Sequence, residues 1–208
     1  MSETIQEVKA LIEKDYQLKI KKFEKDANHY PHILIGDSMA AYLNLHAFGL
    51  DDFMNQGIAG DTTIGVLNRI HLVTDRNPKY VWLNIGSNDI VLTDLTAKQT
   101  VDHILDIKQH IESKTHAKVF IFSMTPVLRD HQVSKMIYIG SRDNTQLKQI
   151  NDVLSSKLSE ESYINIYDQF IDSEGNLNVD YTTDGIHLNI KGYTVYVSEI
   201  KKRLSAIK

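Results

Sequence analysis

Three side chains from opposite ends of the chain carry the chemistry that this sequence offers. Ser38 follows residues 32–35, a short apolar run of the kind found in buried strands. Asp184 and His187 lie near the other end, in the stretch Asp184-Gly185-Ile186-His187. A serine hydroxyl is a poor nucleophile near neutral pH, so it needs a base such as histidine, oriented by a carboxylate. These three residues therefore predict acyl transfer through a nucleophilic serine.

Two further positions are suited to holding the negative oxygen of an acyl-transfer intermediate. Gly60 precedes Asp61-Thr62-Thr63, which reads as a helix start, so its backbone N–H can approach a ligand closely. Asn88, in the turn Gly86-Ser87-Asn88-Asp89, offers a side-chain NH₂ group. With the N–H of Ser38, these groups would make an oxyanion hole of three donors.

Each of these residues also has a purely structural interpretation. Ser38 could cap a helix, Asp184 and Asn88 could form Asx turns, and Gly60 could be an ordinary turn glycine. Their places in the chain favour chemistry, because Ser38, Gly60 and Asn88 each follow a predicted strand. In open parallel sheets the ligand site lies beyond the carboxyl ends of the strands.

The elements that must position these residues alternate along the chain. Strand patterns cover residues 32–35, 54–58, 80–85, 118–124 and 163–167, and amphipathic helical patterns cover 63–73, 96–115, 144–159 and 189–206. This alternation predicts an α/β fold with a parallel sheet between helices. We expect one domain over residues 1–208, with an N-terminal helix within residues 1–28 packed on it.

Composition narrows the class of protein and its partners. Of 208 residues, 42% are hydrophobic and 24% are charged, and the net charge is −4, so we expect no nucleic-acid partner. The chain has no cysteine, which excludes disulfides and thiolate chemistry. No apolar run approaches the roughly 18 residues of a membrane span, and the N-terminal stretch is charged. We therefore expect a cytoplasmic protein without stable membrane insertion.

Four short blocks, in this order, resemble the GDSL, or SGNH, hydrolase family. They are Gly36-Asp37-Ser38-Met39, Gly60, Gly86-Ser87-Asn88-Asp89 and Asp184-Gly185-Ile186-His187. The stretch from Gly57 to Thr63 is similar to the branch related to platelet-activating-factor acetylhydrolase subunits. Met39 stands where the family name has leucine, and we expect this position not to touch the chemistry.

The resemblance implies a fold, a set of roles and no cofactor. The fold is a flavodoxin-like three-layer α/β/α sandwich with a five-stranded parallel sheet. Ser38 is implied as the nucleophile and His187 as its base, with Asp184 as the partner of His187. Ser38, Gly60 and Asn88 are implied as the oxyanion donors. The family spans lipid, carbohydrate and thioester substrates, so the resemblance leaves the substrate open.

Other readings of an α/β chain fit less well. The loop after the first strand lacks the Ser/Thr/Gly-rich composition that binds a flavin phosphate, and the acids and lysine of a receiver domain are missing. No histidine or acid cluster has metal-ligand spacing, so we expect no metal. A family member that only binds carbohydrate or a protein partner stays open, and hydrolysis of a chromogenic ester would separate it from an enzyme.

The expected partner is a small-molecule ester. The loops after the first three strands are short, and the sizeable insertion is residues 127–143, which carries a short apolar patch. Such a patch could cover a small acyl group but would hardly bury a long chain. We expect a preference for acetyl-like esters of a small or carbohydrate alcohol, with a lysophospholipase or lipase-type acylhydrolase as the alternative. Whether the chain forms a homo-oligomer stays open.

Overall fold

The computed structural model describes the backbone of residues 2–207 and the side chains of residues 13–207. The sheet consists of β1 (His32–Gly36), β2 (Phe53–Gly57), β3 (Tyr80–Asn84), β4 (Lys118–Phe122) and β5 (Tyr163–Ile164). The side chains of β1, β3 and β4 are almost all buried, as expected for parallel strands covered by helices on both faces.

The strands lie in the order β2-β1-β3-β4-β5, and all four pairings are parallel. The chain runs outward from β1 to β2 and then crosses back to β3 on the other side of β1. This is the flavodoxin-like order, in which the topological switch point lies beside β1. The predicted α/β fold with a five-stranded parallel sheet is confirmed.

Several short helices were not predicted, and together with the predicted ones they surround the sheet. They are α1 (Ser2–Lys25), α2 (Ser38–Ala41), α3 (Thr63–Asn68), α4 (His71–Thr74), α5 (Asp89–Leu92), α6 (Ala97–Lys114), α7 (Met136–Ile139), α8 (Asn144–Lys157), α9 (Tyr167–Phe170) and α10 (Ile190–Ala206). Two 3₁₀ turns, His46–Phe48 and Val179–Tyr181, complete the set.

Two predicted elements are interrupted by tertiary hydrogen bonds. The strand predicted over 163–167 ends at Ile164, because the N–H groups of Ile166 and Tyr167 both donate to the Ser123 hydroxyl, each at 2.9 Å. The helix predicted over 63–73 divides into α3 and α4 at Arg69. The buried guanidinium of Arg69 donates to the Asp61 carboxylate at 2.8 Å.

The sheet separates two apolar cores. Successive side chains of a strand point to opposite faces, so Ile33 and Ile35 enter one core whereas Leu34 enters the other. Helices α6 and α8 cover the first core, and α10 covers the second. The result is three layers, with the carboxyl ends of the strands at one common edge.

The described end of α1 packs on this sandwich. Phe23 is buried in the first core, and the Tyr16 hydroxyl donates to the carbonyl of Gly65 at 3.0 Å. The side chains of Ile5, Val8, Leu11 and Ile12, which belong to the predicted apolar face, lie outside the described residues. A single domain over 1–208 therefore stays a prediction.

No helix within residues 2–207 combines the length and the apolar character that a membrane span needs. The cytoplasmic location stays a prediction.

Candidate active site

Ser38 lies in the turn where β1 passes into α2. The helix cap in this turn is Asp37, whose carboxylate accepts the N–H of Met39 at 2.9 Å. The alternative that Ser38 is the cap is therefore wrong, and its hydroxyl is left to face the edge of the sheet. The approach of β1 to β3 is close here, since a Cβ on Gly36 would lie 1.9 Å from the carbonyl oxygen of Asn84.

His187 lies between Ser38 and Asp184. Its Nε2 is 3.0 Å from Ser38 Oγ, and its Nδ1 is 2.7 Å from Asp184 Oδ2. The other oxygen, Asp184 Oδ1, accepts the backbone N–H of His187 at 2.8 Å. Because the carboxylate only accepts, it holds the proton of a neutral ring on Nδ1 and leaves Nε2 to accept from the serine hydroxyl. This is the connectivity that activates a serine.

The turn between Asp184 and His187 requires its glycine. Gly185 has φ of 86°, and a Cβ there would lie 2.6 Å from the carbonyl oxygen of Leu128. The insertion 127–143 supports this turn, because Leu128 N–H donates to the Gly185 carbonyl and Lys135 N–H donates to the Asp184 carbonyl, each at 2.8 Å.

The pKa values of two carboxyl groups near Ser38 are shifted in opposite directions. Burial raises the pKa of Asp184, but its hydrogen bonds from the ring and backbone of His187 outweigh burial and lower this pKa overall. Burial raises the pKa of Asp37 to about 7, against the opposing effects of the Met39 N–H and Arg142. Asp184 is thus held as the anion that an imidazolium needs, whereas Asp37 resists ionisation.

The three predicted oxyanion donors border one cavity. Ser38, Gly60 and Asn88 all line a cleft of about 590 Å³ that also contacts Asp184 and His187. Asn88 donates one amide hydrogen to the Asp61 carbonyl at 2.8 Å and keeps a second for a ligand. Among the hydrogen bonds of the described residues, none uses the backbone N–H of Ser38 or of Gly60.

Aromatic and aliphatic side chains form the walls of this cleft. The rings of Tyr42 and Tyr138 meet the His187 ring edge-on, with centroids 5.0 and 5.7 Å away. Ile137, which is 61% exposed, and Lys135 also line it. The insertion 127–143 therefore contributes both apolar and cationic groups beside the imidazole.

A second, much smaller cavity also borders the serine. Its volume of about 10 Å³ is roughly that of one water molecule. Three apolar residues, Met39, Met124 and Ile186, line it. The rest of its lining is polar: Asp37, Ser38, Asn84, Ser87, Asn88 and Thr125. Ser38 thus lines both a wide cleft and a very small cavity.

Several residues at the site were missed by sequence reasoning. Met39 is buried and lines the small cavity beside Ser38, and the expectation that it does not touch the chemistry stays a prediction. Its position directly after the serine was an available signal. Tyr42, four residues after Ser38, could have been found in the same way. Met124 carried no local signal, and Arg142, expected in the polar rim of the insertion 127–143, carried none for its contact with Asn88.

A serine, histidine and carboxylate connected at the carboxyl edge of a parallel sheet form the arrangement of an α/β serine hydrolase. Residues 30–195 match the GDSL-like Lipase/Acylhydrolase family, and the chain belongs to that family. The predicted family and the predicted enzyme class are confirmed.

Two solved structures share the fold over nearly the whole chain. A candidate platelet activating factor protein from Streptococcus pneumonia is 22% identical, with a TM-score of 0.85, over 98% of this chain and 99% of that one. A candidate acylhydrolase from Bacteroides fragilis is 20% identical, with a TM-score of 0.78, over 92% of this chain and 96% of that one. At these identities the likeness shows the fold.

One curated relative is named for an activity other than ester hydrolysis. The N-acylneuraminate cytidylyltransferase of Escherichia coli O18:K1:H7 (strain RS218 / NMEC) is 30% identical over 171 residues, which are 80% of this chain. The chain spans only 38% of the length of that relative.

Proposed function

We propose that this ester hydrolase removes short, acetyl-like acyl groups from a small or carbohydrate alcohol through an acyl-enzyme. The observation that carries the proposal is the connection from Ser38 to His187 to Asp184, with distances of 3.0 and 2.7 Å. Ser38 Oγ attacks the ester carbonyl carbon while its proton passes to His187 Nε2. Asp184 stabilises the imidazolium that forms.

The remaining steps use the same groups. The N–H groups of Ser38 and Gly60 and the free amide hydrogen of Asn88 stabilise the tetrahedral oxyanion. His187 returns its proton to the departing alcohol, and the acyl group stays on Ser38. The imidazole then takes a proton from water, whose oxygen attacks the acyl carbon. His187 returns that proton to Ser38 Oγ as the acyl–serine bond breaks and the acid leaves.

The unequal cavities support the preference for a short acyl group. The small cavity beside Ser38 has room for about one methyl group, and Met39, Met124 and Ile186 supply the apolar part of its otherwise polar lining. The cleft of about 590 Å³ that Ser38 also lines is wide enough for an alcohol of sugar size. An acetyl group in the first space and the alcohol in the second would place the carbonyl carbon at Ser38.

The name of the curated relative suggests one class of alcohol. N-acylneuraminate, named in that relative, is an acidic sugar with several hydroxyl groups. The cleft offers Lys135 for a carboxylate and the rings of Tyr42 and Tyr138 for the faces of a sugar. An acylated acidic sugar is therefore the first substrate class to test.

A lysophospholipase or lipase-type acylhydrolase is the second candidate. The observation that favours it is the apolar part of the wide cleft, formed by Val91, Leu92 and Ile137. If the acyl chain occupied this cleft instead of the small cavity, long chains would be preferred. A panel of p-nitrophenyl esters distinguishes the two, since the first predicts a maximum of kcat/KM at short acyl groups.

Covalent labelling tests the shared part of the proposal. A fluorophosphonate probe should add once per chain, at Ser38, and Ser38→Ala should abolish both labelling and ester hydrolysis while the protein stays folded. Ser134→Ala is the matched control, because this half-buried serine donates to the Leu128 carbonyl and should keep full labelling. Labelling that survives Ser38→Ala would remove the serine from the mechanism.

A further inference from the structure

One buried arginine connects the insertion 127–143 to the predicted oxyanion hole. The guanidinium of Arg142, whose side chain is almost fully buried, donates from Nε to Ser87 Oγ at 2.8 Å and from one terminal nitrogen to the side-chain oxygen of Asn88. Its other terminal nitrogen donates to the carbonyls of Tyr138 and Ile139 at 2.6 and 2.9 Å.

These contacts permit only one orientation of the Asn88 amide. Arginine has donors and no acceptor, so the group that faces Arg142 must be the amide oxygen. The Asp61 carbonyl on the other side only accepts, so the group that faces it must be the NH₂. A flipped amide would place NH₂ against the guanidinium and oxygen against the carbonyl, losing both hydrogen bonds.

We propose that Arg142 is a positioning residue that sets the orientation of the Asn88 amide and strengthens it as an oxyanion donor. The inference rests on the proposed function, in which Asn88 binds the oxyanion. A cationic donor on the amide oxygen draws electron density from the nitrogen, which makes the free N–H a better donor. Arg142 does not itself contact the substrate's reacting atoms in this proposal.

The same guanidinium connects the amide to the wall of the wide cleft. Tyr138, whose carbonyl Arg142 binds, presents its ring to His187. Arg142 thus bridges the oxyanion donor and the wall on which the alcohol would bind. Movement of this wall would change the position of the Asn88 amide. Substrate binding and oxyanion stabilisation would therefore be coupled through Arg142.

A double-mutant cycle separates positioning from general support of the fold. Asn88→Ala should lower kcat by about 10²–10³, the usual loss for one oxyanion donor. Arg142→Met should lower kcat by at least about 10-fold, but by no more than Asn88→Ala does. It should leave KM within about 3-fold of the parent value. In the Asn88→Ala background, Arg142→Met should cost less than about 3-fold more, because it acts through the missing amide. Independent, multiplying losses would overturn the proposal.

Arg129 supplies the matched control. It also donates to the insertion, at the carbonyls of Gly140 and Arg142 (2.9 and 2.6 Å), but it makes no contact with Asn88 among the described hydrogen bonds. Arg129→Met should leave kcat within about 3-fold of the parent. An equal loss of kcat in the Arg129 and Arg142 variants would mean that both only hold the loop.

The side-chain amide resonance of Asn88 tests the orientation without any substrate. This resonance is identified by its absence in Asn88→Ala, and it should shift and exchange faster with water in Arg142→Met but not in Arg129→Met. If Arg142→Met does not fold, Arg142→Lys, which keeps the charge with fewer donors, should show the same change more weakly. An unchanged resonance in the folded Arg142 variants overturns the inference. Absence of ester hydrolysis in the unmodified chain would instead reject the proposed function alone.

Discussion

Shortening Met124 to alanine should let the enzyme accept longer acyl groups. Met124 is buried and lines the small cavity beside Ser38, with a volume of about 10 Å³. The substitution removes Cγ, Sδ and Cε, which together occupy the space of about three methylene groups. An acyl chain extended from acetyl to butyryl could then enter the cavity without displacing its walls.

The magnitude follows from the burial of apolar groups. Each methylene that leaves water contributes about 0.8 kcal/mol, which is a factor of about 4 in kcat/KM. Two methylenes, from acetyl to butyryl, give a factor of about 15. The ratio of kcat/KM for p-nitrophenyl butyrate over acetate should therefore rise up to about 15-fold in Met124→Ala relative to the parent.

Met54 provides the control for this experiment. It is a buried methionine of the same core but belongs to β2 and does not line the small cavity. Both substitutions should lower the free energy of unfolding by about 2–5 kcal/mol, so thermal melts should match approximately. An unchanged butyryl-to-acetyl ratio in Met124→Ala, or an equal change in Met54→Ala, would refute the assignment of the cavity to the acyl group.

Two further substitutions test the electrostatics around Ser38. Asp184→Asn should lower kcat on p-nitrophenyl acetate by about 10²–10⁴, because the amide can favour the wrong tautomer of His187. The loss should be smaller than that of His187→Ala, because the amide oxygen can still accept the His187 N–H. Equal losses in the two variants would contradict this. Asp37→Asn tests whether the free energy of unfolding depends on the protonation of Asp37. The pKa of Asp37 is about 7 when folded against 3.8 ordinarily, so the folded chain binds the proton more tightly between these values. Relative to Asp37→Asn, the unmodified chain should lose up to roughly 4 kcal/mol of unfolding free energy from pH 4 to pH 7, measured by urea denaturation; parallel pH profiles would contradict the raised pKa.

The strands and long helices could be predicted because their signals are local. The apolar run in β3 and the 3.6-residue pattern in α6 are each contained in one stretch of sequence. The predicted strand end at residue 167 failed because Ser123, 44 residues away, captures the N–H of Tyr167. No local pattern contains such a partner, so the ends of elements depend on contacts that only the folded chain creates.

The residues of the candidate site also fall into two groups: those that local sequence signals could identify and those that such signals could not. Ser38, Asp184 and His187 could be proposed because the nature of the chemistry restricts which residue types can perform it. The sequence analysis offered Ser38 as a possible helix cap, whereas Asp37 caps the helix, because both residue types cap helices well and the two residues are adjacent. Gly185 could be recognised only as part of the block from Asp184 to His187. Its positive φ explains why the block needs a glycine there.

The residues proposed to shape specificity had the weakest sequence signals, and the reason is physical. Met124, Tyr138 and Arg142 lie after the fourth strand, far in sequence from Ser38, and their types are common in cores, surfaces and loops alike. Chemistry restricts a nucleophile and a base to few residue types, whereas a cavity wall or a positioning hydrogen bond can be built from many. We therefore expect substrate preference in this chain to depend on positions that a motif does not mark, at Met124 and in the insertion 127–143.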